Sequence, residues 1–370
     1  MDKHLHIISF DVPYPADYGG VIDVFYKIVS LHNVGIKIHL HCFTKDRLPQ
    51  NELNKYCVSV NYYKRQKSFS FTTPYIVQSR ADKILLANLQ QDDHPILMEG
   101  IHCTYLLGKG FLKNRKTIVR LHNTEHKYYA SLAKEEKNIL KKIYFKRESF
   151  LLKKYEAALA PKTIFAALSK DDKEFYETHL SSQHIYFIPA FLPWAEVTNI
   201  IGKGHYCLYH GNLAINENQK AICWLLDNVF NDIEIPFVIA GKDPSKKMTE
   251  FAEKNSNVCM VANPSERELQ DLIVKAQVNI LPSFNNTGVK LKLLNALFNG
   301  RYCLVNTAAV KGSGLDELCR IAEKPEDFKQ QIQQLFKQDF SAIDLDKRKQ
   351  ILQQLYNNAD NAEALISLLY

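Results

Sequence analysis

Apolar residues arrive along the chain in two rhythms. Short runs rich in branched and aromatic side chains, LHIISF, IKIHLHCF, HPILMEG, KTIVRLHN, TIFAALSK and HIYFIPA, read as buried strands. A strand covered on both faces stays apolar without alternating. Between the first two, VIDVFYKIVSLHNVG places its apolar residues at helical spacing. Strand, helix and strand in this order imply parallel pairing through crossover helices, and hence a doubly wound sheet. After Pro193 the same grammar restarts with YCLYHG, the helix of QKAICWLLDNVF, PFVIAG, NVCMVA, the helix of ERELQDLIVKAQ, VNILPSF and RYCLVN. The expected fold is therefore α/β, with two successive doubly wound domains at 1–195 and 196–345 and a helical tail at 346–370. The stretch FLPWAEVTNIIGKGHY, with a proline, two glycines and no clear period, is the expected linker.

Composition supports this division, since 370 residues exceed one ordinary hydrophobic core. The eight cysteines are scattered without a CxxC pair and lie in apolar runs, so they read as reduced thiols and no metal site is expected. MDKHLHIISFDVPYP lacks a charged segment followed by an apolar one, and no window offers 18 uninterrupted apolar residues. A cytoplasmic protein is expected.

The net charge of +7 is concentrated. KEEKNILKKIYFKRESFLLKKY, from Lys134 to Tyr155, carries eight basic and three acidic residues, with Ile139, Leu140, Ile143, Phe150 and Leu151 interleaved. Such a helix either lies on an anionic membrane surface or covers a domain with its charged face in water, and both readings stand. No basic patch has the pattern of a nucleic-acid surface.

Candidate chemistry gathers where strands end, because ligands of open α/β sheets bind outside the carboxyl ends of the strands. VNILPSF runs into NNTGVKLKLLNALFNG, placing Thr287 and Gly288 between a strand and a helix. Lys290 and Lys292 oppose the helix dipole there, unless an anion such as phosphate joins them and the free amides of the first turn. In the first half, FDVPYPADYGG brings Tyr14 and then Gly19 and Gly20 directly after a strand. Glycines there permit close backbone approach to a ligand. MEGIHC adds Glu99 and His102, and IVRLHNTEHKYY adds Arg120, His122, Asn123, Glu125 and His126. Such groups bind hydroxyls or move protons. The chain has no GxGxxG, no GxxxxGK[ST], no HExxH and no GxSxG, so dinucleotide, P-loop, zinc-peptidase and α/β-hydrolase readings are unsupported.

The order of these pieces, FDVPYPADYGG, EGIH, RLHNTEHKYY, ALSKDD, YHGNLAINEN, IAGKDPS and LPSFNNTGVKLKLLNALFNG, resembles the group 1 glycosyltransferases, mostly retaining enzymes of the GT-B fold. The resemblance implies two Rossmann-like domains facing each other across a cleft. The C-terminal domain would bind a nucleotide-diphosphate sugar and the N-terminal one would present the acceptor. It further implies that Gly19, Gly20, Gly211, Asn212, Gly241, Lys242, Thr287, Gly288 and Asn295 contact the donor, and that His122 touches the transferred sugar. Lys290 and Lys292 would hold the diphosphate. Tyr14, Glu99, His102 and Glu125 fall on the acceptor side. Many members carry two glutamates eight positions apart where this chain has Thr287 and Asn295.

The implied activity is transfer of a hexose to a glycan or to a polyprenyl or other lipid-linked acceptor, in cell-surface polysaccharide or glycolipid synthesis. No metal and no cofactor beyond the donor are expected, and peripheral attachment at the inner membrane face would bring the enzyme to a lipid-linked acceptor. The missing glutamates motivate an alternative, a catalytically silent GT-B protein that binds glycan or a partner enzyme.

Overall fold

The computed structural model describes residues 2–252, 254–285 and 288–370, so Thr287 lies outside the described residues. The chain forms two compact units, one of Met1–Pro193 with Tyr356–Tyr370 and the other of Trp194–Leu355.

The first unit is built on seven parallel strands, β1 (His4–Ser9), β2 (Lys37–Thr44), β3 (Ser59–Lys64), β4 (Ile96–Glu99), β5 (Thr117–Leu121), β6 (Ile164–Ala167) and β7 (Ile185–Phe187), in the order β3-β2-β1-β4-β5-β6-β7. Side chains alternate across the sheet. Leu5, Ile7, Ile38, Leu40, Leu97 and Ile118 point into one core with Val24, Ile28 and Leu31 of the helix Gly19–Asn33. Ile8, Phe43, Met98, Val119 and Phe165 face the other core, with Leu152 and Leu159 of the helix Ile139–Leu159. The apolar runs of the sequence are continuous because both faces are covered.

The second unit has six parallel strands, β8 (Cys207–Asn212), β9 (Phe237–Lys242), β10 (Val258–Ala262), β11 (Val278–Ile280), β12 (Tyr302–Val305) and β13 (Arg320–Ile321), in the order β10-β9-β8-β11-β12-β13. β8 and β9 approach closely at Gly211 and Gly241, where a Cβ on Gly241 would lie 1.8 Å from the Gly211 carbonyl oxygen. No other residue fits there without moving a strand.

The expected linker is seated on the second unit. Thr198 N–H donates to the Phe298 carbonyl at 2.8 Å, and Asn199 Nδ2 donates to the Leu297 carbonyl at 3.2 Å. The tail is shared between the units. In the helix Ala342–Tyr356, Arg348 donates to the carbonyls of Gly300 and Arg301, at 2.6 and 2.7 Å. The helix Asn358–Leu369 belongs to the first unit, with Asn358 exchanging side-chain hydrogen bonds with the Leu192 backbone at 2.8 and 3.0 Å.

Candidate functional site

In each sheet the strand order reverses direction at one point, between β1 and β4 in the first and between β8 and β11 in the second. Connections on either side of such a point leave toward opposite faces and open a crevice at the carboxyl ends of the strands. Of the expected site residues, Gly19, Gly20, Glu99 and His102 lie at the ends of β1 and β4 or just after them, and Gly211, Asn212, Gly288, Lys290 and Lys292 at the ends of β8 and β11 or in the segments that follow.

In the first unit, β1 ends at Ser9 and the chain crosses through Phe10 to the helix Gly19–Asn33. Gly20 packs on Phe10, where a Cβ would lie 2.7 Å from the ring. The Phe10 ring in turn lies 5.5 Å from that of His102 and 5.4 Å, edge-on, from that of His122. Gly20, Phe10, His102 and His122 thus form one surface beside the open amides of the helix start.

Beneath this surface lies a buried charge network. Lys27 Nζ donates to Asp23 Oδ2 at 2.8 Å and to Glu99 Oε1 at 2.7 Å, and all three residues are almost completely enclosed. Arg120 donates to Asp23 Oδ1 at 3.0 Å and to the Pro189 carbonyl at 2.8 Å, while Phe191 N–H donates to Asp23 Oδ1 at 2.9 Å. Two cations and two carboxylates balance, as a buried ionic cluster must. Burial would raise the Asp23 carboxyl, but the Arg120 guanidinium and Lys27 ammonium reverse this and hold it well below the usual range. Glu99 follows the same pattern, lowered against burial by Lys27 and His122. Asp23, Glu99 and His122 each offer one ligand atom within 4.8 Å of the others. Lys27 already holds the cation's place between the two carboxylates.

Glu99 is therefore enclosed, and its second oxygen, Oε2, lies 3.0 Å from His122 Nε2. An ionised carboxylate only accepts, so Nε2 presents its hydrogen to Glu99 and the Nδ1 edge of the ring is directed away from it. His102 is held neutral, first by burial and then by the Arg80 charge. Tyr14 packs against Phe25, with ring centroids 5.3 Å apart, rather than on the Phe10 surface.

Glu125 opens the helix Glu125–Glu135 and is also enclosed. Burial first, then the neighbouring carboxylates of Glu156 and Asp172, push its carboxyl up to about 8. A carboxyl raised in the folded state contributes stability that is complete below its unfolded pKa and is lost as pH climbs toward the folded value. Glu125→Gln should remove this slope, up to about 1.4 kcal/mol per pH unit. Urea midpoints of the two proteins should converge in mild acid and separate in mild alkali, with the variant the more stable.

In the second unit, β8 ends in His210-Gly211-Asn212 and leads to the helix Asn216–Asn228. Gly211 has φ 155 and Gly288 φ 67, within the region that favours glycine. The helix Leu291–Asn299 follows, with Lys290 as its N-cap residue and no side-chain cap. Lys292 Nζ donates to Tyr209 OH at 2.8 Å and to Asn218 Oδ1 at 2.9 Å, and Tyr209 OH also donates to Asn218 Oδ1 at 2.9 Å. Both partners are neutral. Burial lowers the Lys292 ammonium to about 8, with Glu217 opposing the shift and Lys290 adding to it. Lys290 Nζ lies 3.9 Å from Glu217 Oε1, which also accepts from Ser283 Oγ at 2.6 Å. His210 is buried beside this cluster, its Nε2 without a hydrogen-bond partner among the described residues. Burial first, then the Lys292 charge, hold it down at about 3.

Asn295 Oδ1 accepts from Asn299 Nδ2 at 2.8 Å within the same helix. Asn212 Oδ1 accepts from Ala214 N–H at 2.9 Å, closing the turn after β8, and Lys242 at the end of β9 is exposed. Sequence reasoning missed Asp23, Lys27, Tyr209, Glu217, Asn218 and Ser283. Asp23 and Lys27 did leave a signal, two opposite charges four residues apart on the apolar face of one helix.

A family model described as Glycosyl transferases group 1 matches residues 204–338, most of the second unit. An uncharacterized 44.6 kDa protein in the cps region of Klebsiella pneumoniae is 26% identical over 334 residues, covering 83% of this chain and 84% of that protein. Among solved structures, a variant of S. aureus TarM in complex with fondaparinux, alpha-GlcNAc-glycerol and UDP gives a TM-score of 0.70 at 12% identity over 99% of each chain. The apo form of the lipopolysaccharide outer core galactosyltransferase WaaB gives 0.64 at 15% identity, over 98% of this chain and 99% of its own.

Proposed function

We propose that the second unit, which matches the group 1 glycosyltransferase model in a chain of GT-B fold, acts as a glycosyltransferase domain, and that the protein transfers a hexose from a nucleotide-diphosphate donor to a glycan or lipid-linked acceptor hydroxyl. The observation that carries this reading is Lys292, an enclosed ammonium held by two neutral groups at the switch point of the second sheet. Among the described residues its hydrogen-bond partners are neutral and Glu217 acts on it only at longer range, so an arriving anion adds the direct charge partner. The diphosphate of the donor lies against Lys292, Lys290 and the open amides of the helix Leu291–Asn299, with Gly211 and Gly288 letting the backbone approach. As the glycosidic bond breaks, negative charge grows on the departing diphosphate, and preset cations stabilise it without reorganising. This role needs no metal.

In the first unit, His122 contacts the transferred sugar and Glu99 orients its ring, while Phe10 and His102 line the acceptor side. Transfer proceeds with retention, the leaving phosphate helping to take the acceptor proton. The cps-region relative supports a place in cell-surface polysaccharide synthesis. UDP in the TarM complex makes uridine-diphosphate sugars the first donors to try. A thermal-shift panel of nucleoside diphosphates and their sugars tests the donor site, because a ligand that binds only the native state raises its melting temperature. One nucleotide family should stabilise the protein; absence of any shift across the panel contradicts a donor site.

The same reading extends to the membrane. No described helix is long and apolar enough to cross a bilayer. Ile139, Leu140, Ile143 and Phe150 are nevertheless exposed on the basic helix Ile139–Leu159, as are Phe69 and Phe71 of a loop tied to it by Arg147, which lies 4.6 Å over the Phe69 ring. Exposed apolar groups set among lysines suit an anionic bilayer surface, where a lipid-linked acceptor would be met. In co-sedimentation, recovery with phosphatidylglycerol vesicles should exceed that with phosphatidylcholine vesicles and fall as salt rises. Equal recovery with both would remove the membrane from the account.

A further inference from the structure

Two His-x-His runs, His4-Leu5-His6 and His39-Leu40-His41, lie side by side on β1 and β2, with His6 in register with His39. Alternate residues share a face, so all four imidazoles line one side of the sheet. His94 extends the row across β1, since His6 registers with Ile96 of β4. The row occupies the amino ends of these strands, the opposite end from Phe10 and His122.

The five rings divide into two sets. His6 and His41 are buried and fully satisfied: His6 bonds His41 at 2.8 Å and Asp92 at 3.0 Å, and His41 bonds Tyr63 OH at 2.8 Å. They form a completed structural chain. His4, His39 and His94 are half-buried and each offers one nitrogen within 4.8 Å of the other two. His39 Nδ1 is engaged by Ser59 Oγ at 3.0 Å, which fixes the ring and turns Nε2 toward His4 Nδ1, 3.0 Å away. Asp92 accepts from the His94 backbone N–H at 3.0 Å and from Arg115 at 3.1 Å, holding the turn that carries His94. Among the described residues, neither ring nitrogen of His94 has a hydrogen-bond partner.

We propose that His4, His39 and His94 bind a divalent first-row transition cation of the zinc class, with water completing a four-coordinate shell. Neutral imidazoles suit such ions, and a three-histidine set with an open position is an established coordination pattern. Tetrahedral zinc with bonds of about 2.0–2.1 Å separates its ligand nitrogens by about 3.3 Å, close to the 3.0 Å between His4 and His39. Ser59 already provides the outer hydrogen bond that orients a metal-bound imidazole. The ion takes the place of the hydrogen between His4 Nδ1 and His39 Nε2, which moves to Nε2 of His4. His94, whose ring stacks on that of His4 with centroids 4.7 Å apart, turns out of that stack to supply the third bond. The bound ion ties β1, β2 and the approach to β4 together, remote from the loops assigned to transfer.

Full-length protein without an added polyhistidine segment, stripped with chelator, tests this by calorimetric titration with zinc chloride and by cobalt(II) absorption. Wild type should take up one ion per chain, show the intense visible bands of four-coordinate cobalt, and melt higher with zinc. His39→Gln and His94→Gln should each weaken binding at least about tenfold, whereas His179→Gln, on a distant exposed helix end, should not. His94→Gln removes no hydrogen bond of its ring and should keep the native circular dichroism. No saturable uptake by wild type, or equal uptake by the folded His94→Gln variant, would overturn the proposal.

Discussion

Lys292→Ala lowers the turnover of sugar transfer by about 10²–10³-fold, the loss typical of removing one preset charge-stabilising group. The fold should survive, because Tyr209 OH and Asn218 Oδ1 remain bonded to each other at 2.9 Å and neither is orphaned. The pH dependence of nucleotide binding identifies the group responsible. Burial brings the ammonium to about 8, so donor affinity should be full below that pH and decline as the lysine loses its proton above it. The step should vanish in the variant. A variant with wild-type turnover and an unchanged pH profile would remove Lys292 from the site.

Asp23→Ala should cost about 3–5 kcal/mol of stability, the usual consequence of breaking a buried ionic group on one side. Asp23 accepts from Lys27, Arg120 and the Phe191 backbone, so its loss leaves Arg120 and a share of the Lys27 charge uncompensated. Its carboxyl is depressed in the folded protein, so the contribution is present above the unfolded pKa and is lost as pH falls toward the folded value. Denaturant titrations should therefore show a large gap between wild type and variant near neutrality that narrows in acid. A gap below about 1 kcal/mol would mean that the network contributes little.

The doubly wound layout was legible because parallel strands covered on both faces must be apolar throughout, as LHIISF and IKIHLHCF are. Two strands escaped. VSVNYYK, containing β3, is an edge strand with only Tyr63 fully buried, and β13 has two residues, both exposed, so neither has a strong apolar signature. The strand-end glycines and lysines were legible for the same topological reason, since crevices open where β1 meets β4 and β8 meets β11. Burial was not. Glu99 looked like a surface group facing an acceptor, whereas it is enclosed between Lys27 and His122, from segments far away in sequence. Tyr209 and Asn218 read as ordinary strand and helix residues until the fold brought Lys292 between them.

The central claim is that this chain uses a nucleotide-diphosphate sugar, with the enclosed lysine of the second unit acting on the leaving diphosphate. The most direct measurement is release of nucleoside diphosphate from a panel of nucleotide sugars, with a lipid-linked acceptor fraction, by wild type and by Lys292→Ala protein. The account predicts acceptor-dependent release from one donor by wild type and its near-loss in a variant that still melts cooperatively. Binding and release absent across the whole panel in folded wild-type protein, or equal release by both proteins, would contradict it.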